Sequence, residues 1–125
     1  KHRWFGFDDA VYTSARILEI LSGTDKKLSE LLSDLAPAYN TPELRIPSSD
    51  EKKFKIVEEI KEHFKRQGYE VIDVDGVRLV FPDGWGLVRA SNTQPMLVMR
   101  FEAESPERLK EIQSLVEEQV NRFNQ

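Results

Sequence analysis

The sequence predicts a small α+β domain, with an antiparallel four-stranded sheet and two helices packed on one face, preceded by a helical N-terminal segment. Three observations support this prediction. Strand-like runs joined by tight turns occupy residues 69–103, apolar residues recur at helical spacing on both sides of them, and two prolines interrupt the chain near residue 40. Consecutive strands joined by turns of two or three residues must run antiparallel, which leaves one face of the sheet for both helices.

The first part of the chain is predicted to be helical. Apolar residues recur at helical spacing from Val11 to Leu21, Asp8 or Asp9 can cap the N-terminus and Gly23 can end the helix, so we expect a helix over about 9–22. A second, short helix is predicted to end before Pro37. It rests on leucines at positions i, i+3, i+4 and i+7: Leu28, Leu31, Leu32 and Leu35.

A domain boundary is predicted at 37–42, because Pro37 and Pro42 forbid helix and limit sheet in that stretch. Residues 1–36 then form a separate helical segment, and residues 43–125 form the C-terminal domain. The run Lys1–Phe7 contains three large aromatic residues within four positions, and we expect them to be buried. Two explanations of this terminus stay open: a processed end packed on its own domain, or a chain cut out of something larger.

The second part begins with a short strand, Leu44–Ile46, and a helix over about 50–67. Ser48 and Glu51 have the spacing of a capping box at the start of this helix, and Gly68 can end it. The apolar positions predict its buried face, which comprises Phe54, Val57, Ile60 and Phe64.

The sheet follows directly. A strand over 69–74 and another over 77–81 are joined by Asp75-Gly76, which is typical of a type I′ hairpin turn. A second turn, Pro82–Gly84, leads to a strand over 85–88, and 96–103 is the last strand. Ser105 and Pro106 begin a closing helix, with Leu109, Ile112, Val116 and Phe123 on one face.

Composition narrows the function classes. A net charge of −4 opposes non-specific attraction to nucleic acid or acidic lipid, and we expect neither as a partner. The chain has no cysteine, which excludes disulfides, thiolate metal sites and a cysteine nucleophile, and a cytoplasmic location is expected. His63 is predicted to lie on a solvated helix face, and no metal-ligand spacing or nucleophile–base pair is visible.

The run from Arg89 to Pro95 is the strongest candidate site. Arg89, Ser91, Asn92 and Thr93 place a guanidinium, two hydroxyls and a carboxamide between two strands, and all of these groups donate hydrogen bonds. Converging donors of this kind suit a phosphate. The alternative is an ordinary polar turn in which Ser and Asn bond their own backbone. Trp85 could stack on a sugar, but an aromatic residue at that strand position is expected to belong to the core.

Three runs, Asp75–Val77, Asp83–Pro95 and Leu97–Ala103, follow one another in the order and with the residues that are typical of a known domain. They resemble the C-terminal domain of the α-D-phosphohexomutase family, and within it the bacterial phosphomannomutase/phosphoglucomutases. Arg3–Ala10 is similar to the stretch just after the sugar-binding loop of that family. The resemblance implies that Arg89, Ser91, Asn92 and Thr93 contact the phosphate of a bound mannose or glucose phosphate. Gln94 stands where many relatives have Glu, and the resemblance implies that it is a polar support for the loop.

The resemblance also implies a reaction. Members transfer a phosphoryl group between a serine of their first domain and a hexose 1- or 6-phosphate, and Mg²⁺ is bound by aspartates of the second domain. The serine and the metal loop are not in this sequence, so we expect no catalytic residue, no cofactor and no activity in this chain alone. Its partners would be the phosphorylated hexose and the remaining domains, and 37–42 would be the hinge that closes the cleft.

A rival interpretation is a stand-alone binding module for nucleic acid or protein. The same sheet with two helices is found in RNA-binding domains and in TATA-box-binding-protein-like folds. An RNA platform needs exposed aromatic residues on a basic face, whereas this chain is acidic and its strand aromatics are expected to be buried.

Overall fold

The computed structural model describes residues 3–125, so the expectation for Lys1 and His2 lies outside the described part of the chain. The chain divides into two compact units between Ala36 and Pro37. No helix within 3–125 is both long and apolar enough to cross a membrane.

The N-terminal unit contains one regular helix, α1 (Ala10–Ser22), close to the predicted bounds. Asp9 caps it, because its Oδ1 accepts a hydrogen bond from the Tyr12 backbone amide at 2.8 Å. The predicted second helix is wrong: only Leu28–Glu30 form a 3₁₀ turn. A short helix needs a packed apolar face, and Leu28, Leu32 and Leu35 are more than half exposed in this unit.

The expected burial of the N-terminal aromatic residues is wrong for two of the three. Trp4 stacks on Tyr12 with ring centroids 4.2 Å apart and is half-buried. Phe5 is 87% exposed and Phe7 is 72% exposed. The side chains of α1 include none that is buried, so the apolar stripe of this helix faces solvent.

The C-terminal unit is a sheet covered by two helices. The helices are α2 (Lys53–Arg66) and α3 (Pro106–Phe123); the strands are β1 (Tyr39–Asn40), β2 (Leu44–Pro47), β3 (Glu70–Ile72), β4 (Val77–Phe81), β5 (Gly84–Ala90) and β6 (Met96–Ala103). All pairings are antiparallel, in the order β1-β6-β5-β4-β3, and β2 also pairs with β6. The predicted α+β class is confirmed. The sheet has six strands rather than four, because β1 and β2 both add to the free edge of β6.

Residues 39–41, within the predicted linker, hydrogen-bond to β6. Tyr39 and Asn40 pair with Ala103 and Glu102, and the buried Thr41 exchanges hydrogen bonds with Phe101. The two prolines flank this short paired stretch, where their missing amide hydrogens break no ladder. Only Pro37 and Ala38 of the predicted linker therefore precede the sheet.

The core lies between the sheet and the two helices. Phe64 of α2, Phe101 of β6, and Ile112 and Val116 of α3 are almost completely buried, as are the inward residues of β4 and β5. α3 begins as predicted, since the Ser105 hydroxyl accepts a hydrogen bond from the Arg108 amide and Pro106 follows it. These contacts fix α3 across the middle of the sheet.

The buried face of α2 differs from the prediction. Ile60 and Phe64 are buried as expected, but Phe54 is 55% exposed and Val57 is half-buried, while Lys53 and Ile56 are buried instead. The predicted capping box is also wrong, because α2 begins after Lys52 without a side-chain cap and the Ser48 hydroxyl is buried without a hydrogen-bond partner. In its first turns the buried face of α2 is therefore shifted by one residue relative to the prediction, and this shift places a lysine on the side of the core.

The turn between β3 and β4 is not of type I′. That turn requires positive φ at two successive residues, whereas among residues 3–125 only glycines have positive φ. Gly76 does, at 106°, and Asp75 does not. β3 is accordingly shorter than predicted, and residues 73–76 form the connection.

Candidate phosphate-binding site

Three connections of the C-terminal unit lie at one end of its sheet. They are the β2–α2 connection (48–52), the β3–β4 turn (73–76) and the β5–β6 loop (91–95). The register explains their proximity, because Pro47 at the end of β2 pairs with Met96 at the start of β6, and Val77 at the start of β4 pairs with Val88. All the predicted site residues therefore lie at this end.

Arg89 belongs to a strand rather than to the loop. It pairs with Val98 near the end of β5, and the loop proper is Ser91–Pro95. Val88 and Ala90 point to the core, so Arg89 starts from the face opposite the helices. Its side chain is 37% exposed, and its Nη1 lies 3.8 Å from Oδ2 of Asp75. The strand thus holds the backbone of this arginine firmly, while its charged end remains accessible.

The loop forms a compact turn around Ser91. The Ser91 hydroxyl oxygen accepts hydrogen bonds from the amides of Gln94 at 3.2 Å and Thr93 at 3.4 Å, and the Ser91 amide donates to the Met96 carbonyl at 3.0 Å. The polar-turn alternative is therefore correct for the Ser91 hydroxyl oxygen, which accepts hydrogen bonds from the backbone of its own loop. The hydroxyl hydrogen of Ser91 is still available to a ligand, and Asn92 and Thr93 are exposed.

A groove of about 340 Å³ lies beside Arg89. Its walls come from α2, the β3–β4 turn and the beginning of the loop, and they include Lys61, Asp73, Asp75, Arg89 and Asn92. The structure therefore brings Arg89 and Asn92 to the same groove, with Ser91 and Thr93 on the adjoining loop.

The other charges of the groove are paired. A hydrogen bond from Lys61 to Glu58 is the main cause that raises the pKa of Lys61, and the two side chains lie 2.6 Å apart. A hydrogen bond from Lys65 lowers the pKa of Asp73, across 3.0 Å. Arg89 is thus the cation of the groove whose contact with a carboxylate is loosest.

Lys53 is a further residue of this end, and its position there was not predicted from the sequence. Its side chain is 4% exposed, and its Nζ donates hydrogen bonds to Asp50 Oδ1 at 2.6 Å and to the Gln94 carbonyl at 3.0 Å. The Ser48 amide donates to the next carbonyl, that of Pro95, at 2.9 Å. The helical spacing of Lys53 with Ile56 and Ile60 was the signal available in the sequence.

Two other candidates have different surroundings from those expected. Trp85 is not part of the core: it lies half-buried on the face opposite the helices, with Arg78 at 4.4 Å from its ring and Glu102 accepting from its Nε1 at 3.3 Å. His63 is half-buried and packs edge-on against Phe64 and Phe123, rather than lying on a solvated face. In the described chain no group of three or more acidic or histidine side chains is arranged to hold a metal ion.

Comparison with known proteins settles the family. Residues 43–119 match the family described as "Phosphoglucomutase/phosphomannomutase, C-terminal domain". The chain belongs to this family. It is 42% identical, over 96% of its length, to a phosphomannomutase/phosphoglucomutase of Pseudomonas aeruginosa, and 47% identical, over 91% of its length, to a phosphoglucomutase of Neisseria meningitidis. The predicted resemblance is confirmed.

The solved structures agree. A phosphoglucomutase/phosphomannomutase family protein of Burkholderia thailandensis matches 98% of this chain with a TM-score of 0.79 and 41% sequence identity. The chain spans about a quarter of the length of these relatives: 26% of the Pseudomonas and Burkholderia proteins and 25% of the Neisseria protein. Membership of the phosphoglucomutase/phosphomannomutase family confirms the expected fold, whereas the roles of individual site residues remain predictions.

Proposed function

We propose that this chain is the phosphate-holding C-terminal part of a phosphohexomutase that interconverts hexose 1-phosphate and hexose 6-phosphate. One observation supports this above all: Arg89 and Asn92 line one groove at one end of the sheet, and Ser91 and Thr93 lie on the adjoining β5–β6 loop. A planar guanidinium forms two parallel hydrogen bonds with a phosphate, and neighbouring hydroxyl and amide donors complete such a site.

The proposed task of this site is to hold the phosphate that does not react. A phosphate fixed at one end of the sugar orients the other end for transfer, and binding energy at a remote group lowers the barrier of the reacting step. The family resemblance assigns the transferred phosphoryl group to a serine, and Mg²⁺ to an aspartate loop, of other domains. This chain alone is therefore expected to be inactive, and turnover of glucose 1-phosphate by it, above a blank of Arg89→Ala, would contradict that.

We also propose that the N-terminal unit is the tail of the preceding sugar-binding domain, with the hinge for cleft closure at its end. Exposure of the apolar stripe of α1, where Val11 is 82% and Leu18 is 66% exposed, supports packing against further parts of the enzyme. Because Tyr39 and Thr41 are bonded to β6, rotation is confined to the bonds around Pro37 and Ala38.

A titration followed by ¹H–¹⁵N NMR tests the phosphate site. Glucose 1-phosphate, glucose 6-phosphate and inorganic phosphate are added to the wild type, to Arg89→Ala and to the control Arg66→Ala, which removes an exposed arginine at the far end of α2. We expect chemical-shift changes that are confined to residues 89–94 and saturate at millimolar ligand. Arg89→Ala is expected to lower the affinity about tenfold or more, and Arg66→Ala is expected to leave it unchanged.

Two results would contradict the proposal. One is equal affinity in Arg89→Ala and the wild type. The other is a full-length enzyme in which the same substitution leaves kcat/KM unchanged, since loss of the phosphate anchor must raise the barrier.

A titration with single-stranded oligonucleotide tests the rival interpretation, a stand-alone nucleic-acid-binding module. The feature that favours this interpretation is Trp85, which lies on the outer face of the sheet. Its ring is already covered by Arg78, so we expect no shift there.

A further inference from the structure

We infer that Lys53 is a positioning residue for the phosphate loop: its buried ammonium group holds Ser91–Pro95 in the conformation that presents the loop's donors to a phosphate. The inference rests on the proposed function of that loop. It concerns a residue of α2, separated from the loop by 41 positions in sequence, that contacts the loop backbone.

Burial is the first reason. The buried polar side chains within residues 3–125 are Thr41, Lys53 and Gln119, and Lys53 alone among them is charged. Removing an ammonium group from water is unfavourable unless hydrogen bonds replace the lost hydration. Two hydrogen bonds do so: one to the carboxylate of Asp50, which is itself 73% exposed, and one to the Gln94 carbonyl.

The second reason is the position of Gln94 in the loop. Its carbonyl accepts from Lys53 at 3.0 Å, while its amide donates to the Ser91 hydroxyl oxygen at 3.2 Å. Gln94 therefore connects Lys53 to Ser91, a predicted phosphate ligand, through one hydrogen bond at its carbonyl and one at its amide. The adjacent Pro95 carbonyl accepts from the Ser48 amide at 2.9 Å, so the first residue of α2 and the β2–α2 connection bind two successive carbonyls of the loop.

The third reason is that, apart from the Ser48–Pro95 contact, the other hydrogen bonds given for the loop are internal to residues 91–96, including one from the Met96 amide to the Gln94 carbonyl at 2.8 Å. Asn92, Thr93 and Gln94 are exposed, and short polar loops of this kind are mobile unless they are fixed from outside. A loop ordered in advance binds its ligand more tightly, because less conformational entropy is lost on binding. Lys53 supplies that order without touching the ligand.

The test compares Lys53→Met with Lys55→Met. Both substitutions remove one positive charge from α2, but the Lys55 side chain is 77% exposed and forms a long ion pair, at 3.7 Å, with Glu59. ¹⁵N relaxation and hydrogen exchange report the order of the loop amides, and titration with inorganic phosphate reports affinity. Amide dispersion of Val77 and Leu79 in the core confirms folding.

We expect Lys53→Met to increase the mobility of residues 91–94 and to weaken phosphate binding about tenfold, and Lys55→Met to do neither. A tenfold change corresponds to about 1.4 kcal/mol, near the lower end of what a hydrogen bond to a charged group contributes. Unchanged loop dynamics in Lys53→Met would overturn the inference, whatever the affinity. Failure of the wild type to bind phosphate, with a loop that still loosens in Lys53→Met, would instead overturn the proposed function.

A wild-type measurement keeps the inference testable if Lys53→Met does not fold. The ¹⁵Nζ signal of a lysine that donates to Gln94 must show slowed proton exchange and coupling across the hydrogen bond to that carbonyl, and absence of both would refute the contact.

Chemical rescue is a second way to test the role of the Lys53 ammonium group. The chain has no cysteine, so Lys53→Cys is alkylated at one site only, with an aminoethyl group that restores the amine or a propyl group of the same size without it. Only the aminoethyl form is expected to restore loop order.

Discussion

Replacement of Gly76 by alanine tests how the β3–β4 turn supports Arg89. Gly76 has a φ of 106°, and a Cβ placed on it would collide with the Val88 carbonyl oxygen and lie 2.7 Å from the Arg89 Cβ and 3.0 Å from its Cα. Backbone strain at such a φ is worth about 1–3 kcal/mol, and relief of the collision by movement of a packed strand costs about 1–3 kcal/mol more. We expect Gly76→Ala to lower the free energy of unfolding by roughly 4 kcal/mol.

Gly68→Ala is the matched control. Gly68 also has a positive φ, 83°, but a Cβ there meets no atom within 4 Å, so only the backbone strain applies. Urea unfolding followed by tryptophan fluorescence, in a Trp4→Phe background that leaves Trp85 as the reporter, measures both variants. With a urea dependence of about 2 kcal/mol per M, the midpoint is expected to fall by roughly 2 M for Gly76→Ala and by about half of that for the control.

Equal destabilisation of the two variants would refute the close approach to β5. The Arg89 Nε signal gives an independent reading at the site, because a strand displaced at Arg89 changes the surroundings of its guanidinium. We expect that signal to move in Gly76→Ala and to stay in place in Gly68→Ala. A fixed signal with a large loss of stability would mean that the turn moves instead of the strand.

Two further predictions concern α2 and its surroundings. Phe64→Ala is expected to lower the free energy of unfolding by about 3–5 kcal/mol and Phe54→Ala by less than about 1 kcal/mol, since Phe54 is 55% exposed; urea unfolding that ranks them the other way would contradict the observed face of α2. Lys65→Met is expected to raise the lowered pKa of Asp73 towards the ordinary aspartate range, which a ¹³C carboxyl titration measures. Because this pKa is depressed in the folded state, the ion pair contributes stability above the ordinary aspartate pKa of about 3.9, and that contribution is lost as the pH falls through the depressed value.

Local signals in the sequence predicted most of the elements. Asp9 and Ser105 cap their helices as expected, and Gly68 ends α2 with a positive φ. Each of these signals depends on the residue and its immediate neighbours, so it can be recognised in the sequence without knowledge of the tertiary structure. The Leu28–Leu35 repeat failed as a helix because its stability would have to come from packing that the described unit does not supply.

Signals that depend on tertiary contacts were misread. The apolar positions of α2 predicted that Phe54 is buried. In the structure Lys53 is buried instead, and its ammonium group donates a hydrogen bond to the Gln94 carbonyl. In the same way, Arg89 was assigned to a loop because a polar run began there. Its pairing with Val98 extends β5 by two residues beyond the predicted end, and no local rule reports that register.

Carboxylates near the loop reduce the electrostatic attraction that this end of the sheet exerts on an anion. Lys53 is already bonded to Asp50, and Arg89 faces Asp75 before any ligand arrives, so the net positive potential at this end is small. The contact of Arg89 with Asp75, at 3.8 Å, is longer than the 2.7–2.9 Å of a charge-assisted hydrogen bond, so a phosphate dianion with better geometry can displace it. The affinity of the proposed phosphate site must then come from hydrogen-bond geometry rather than from attraction at a distance, which makes the order of the loop decisive.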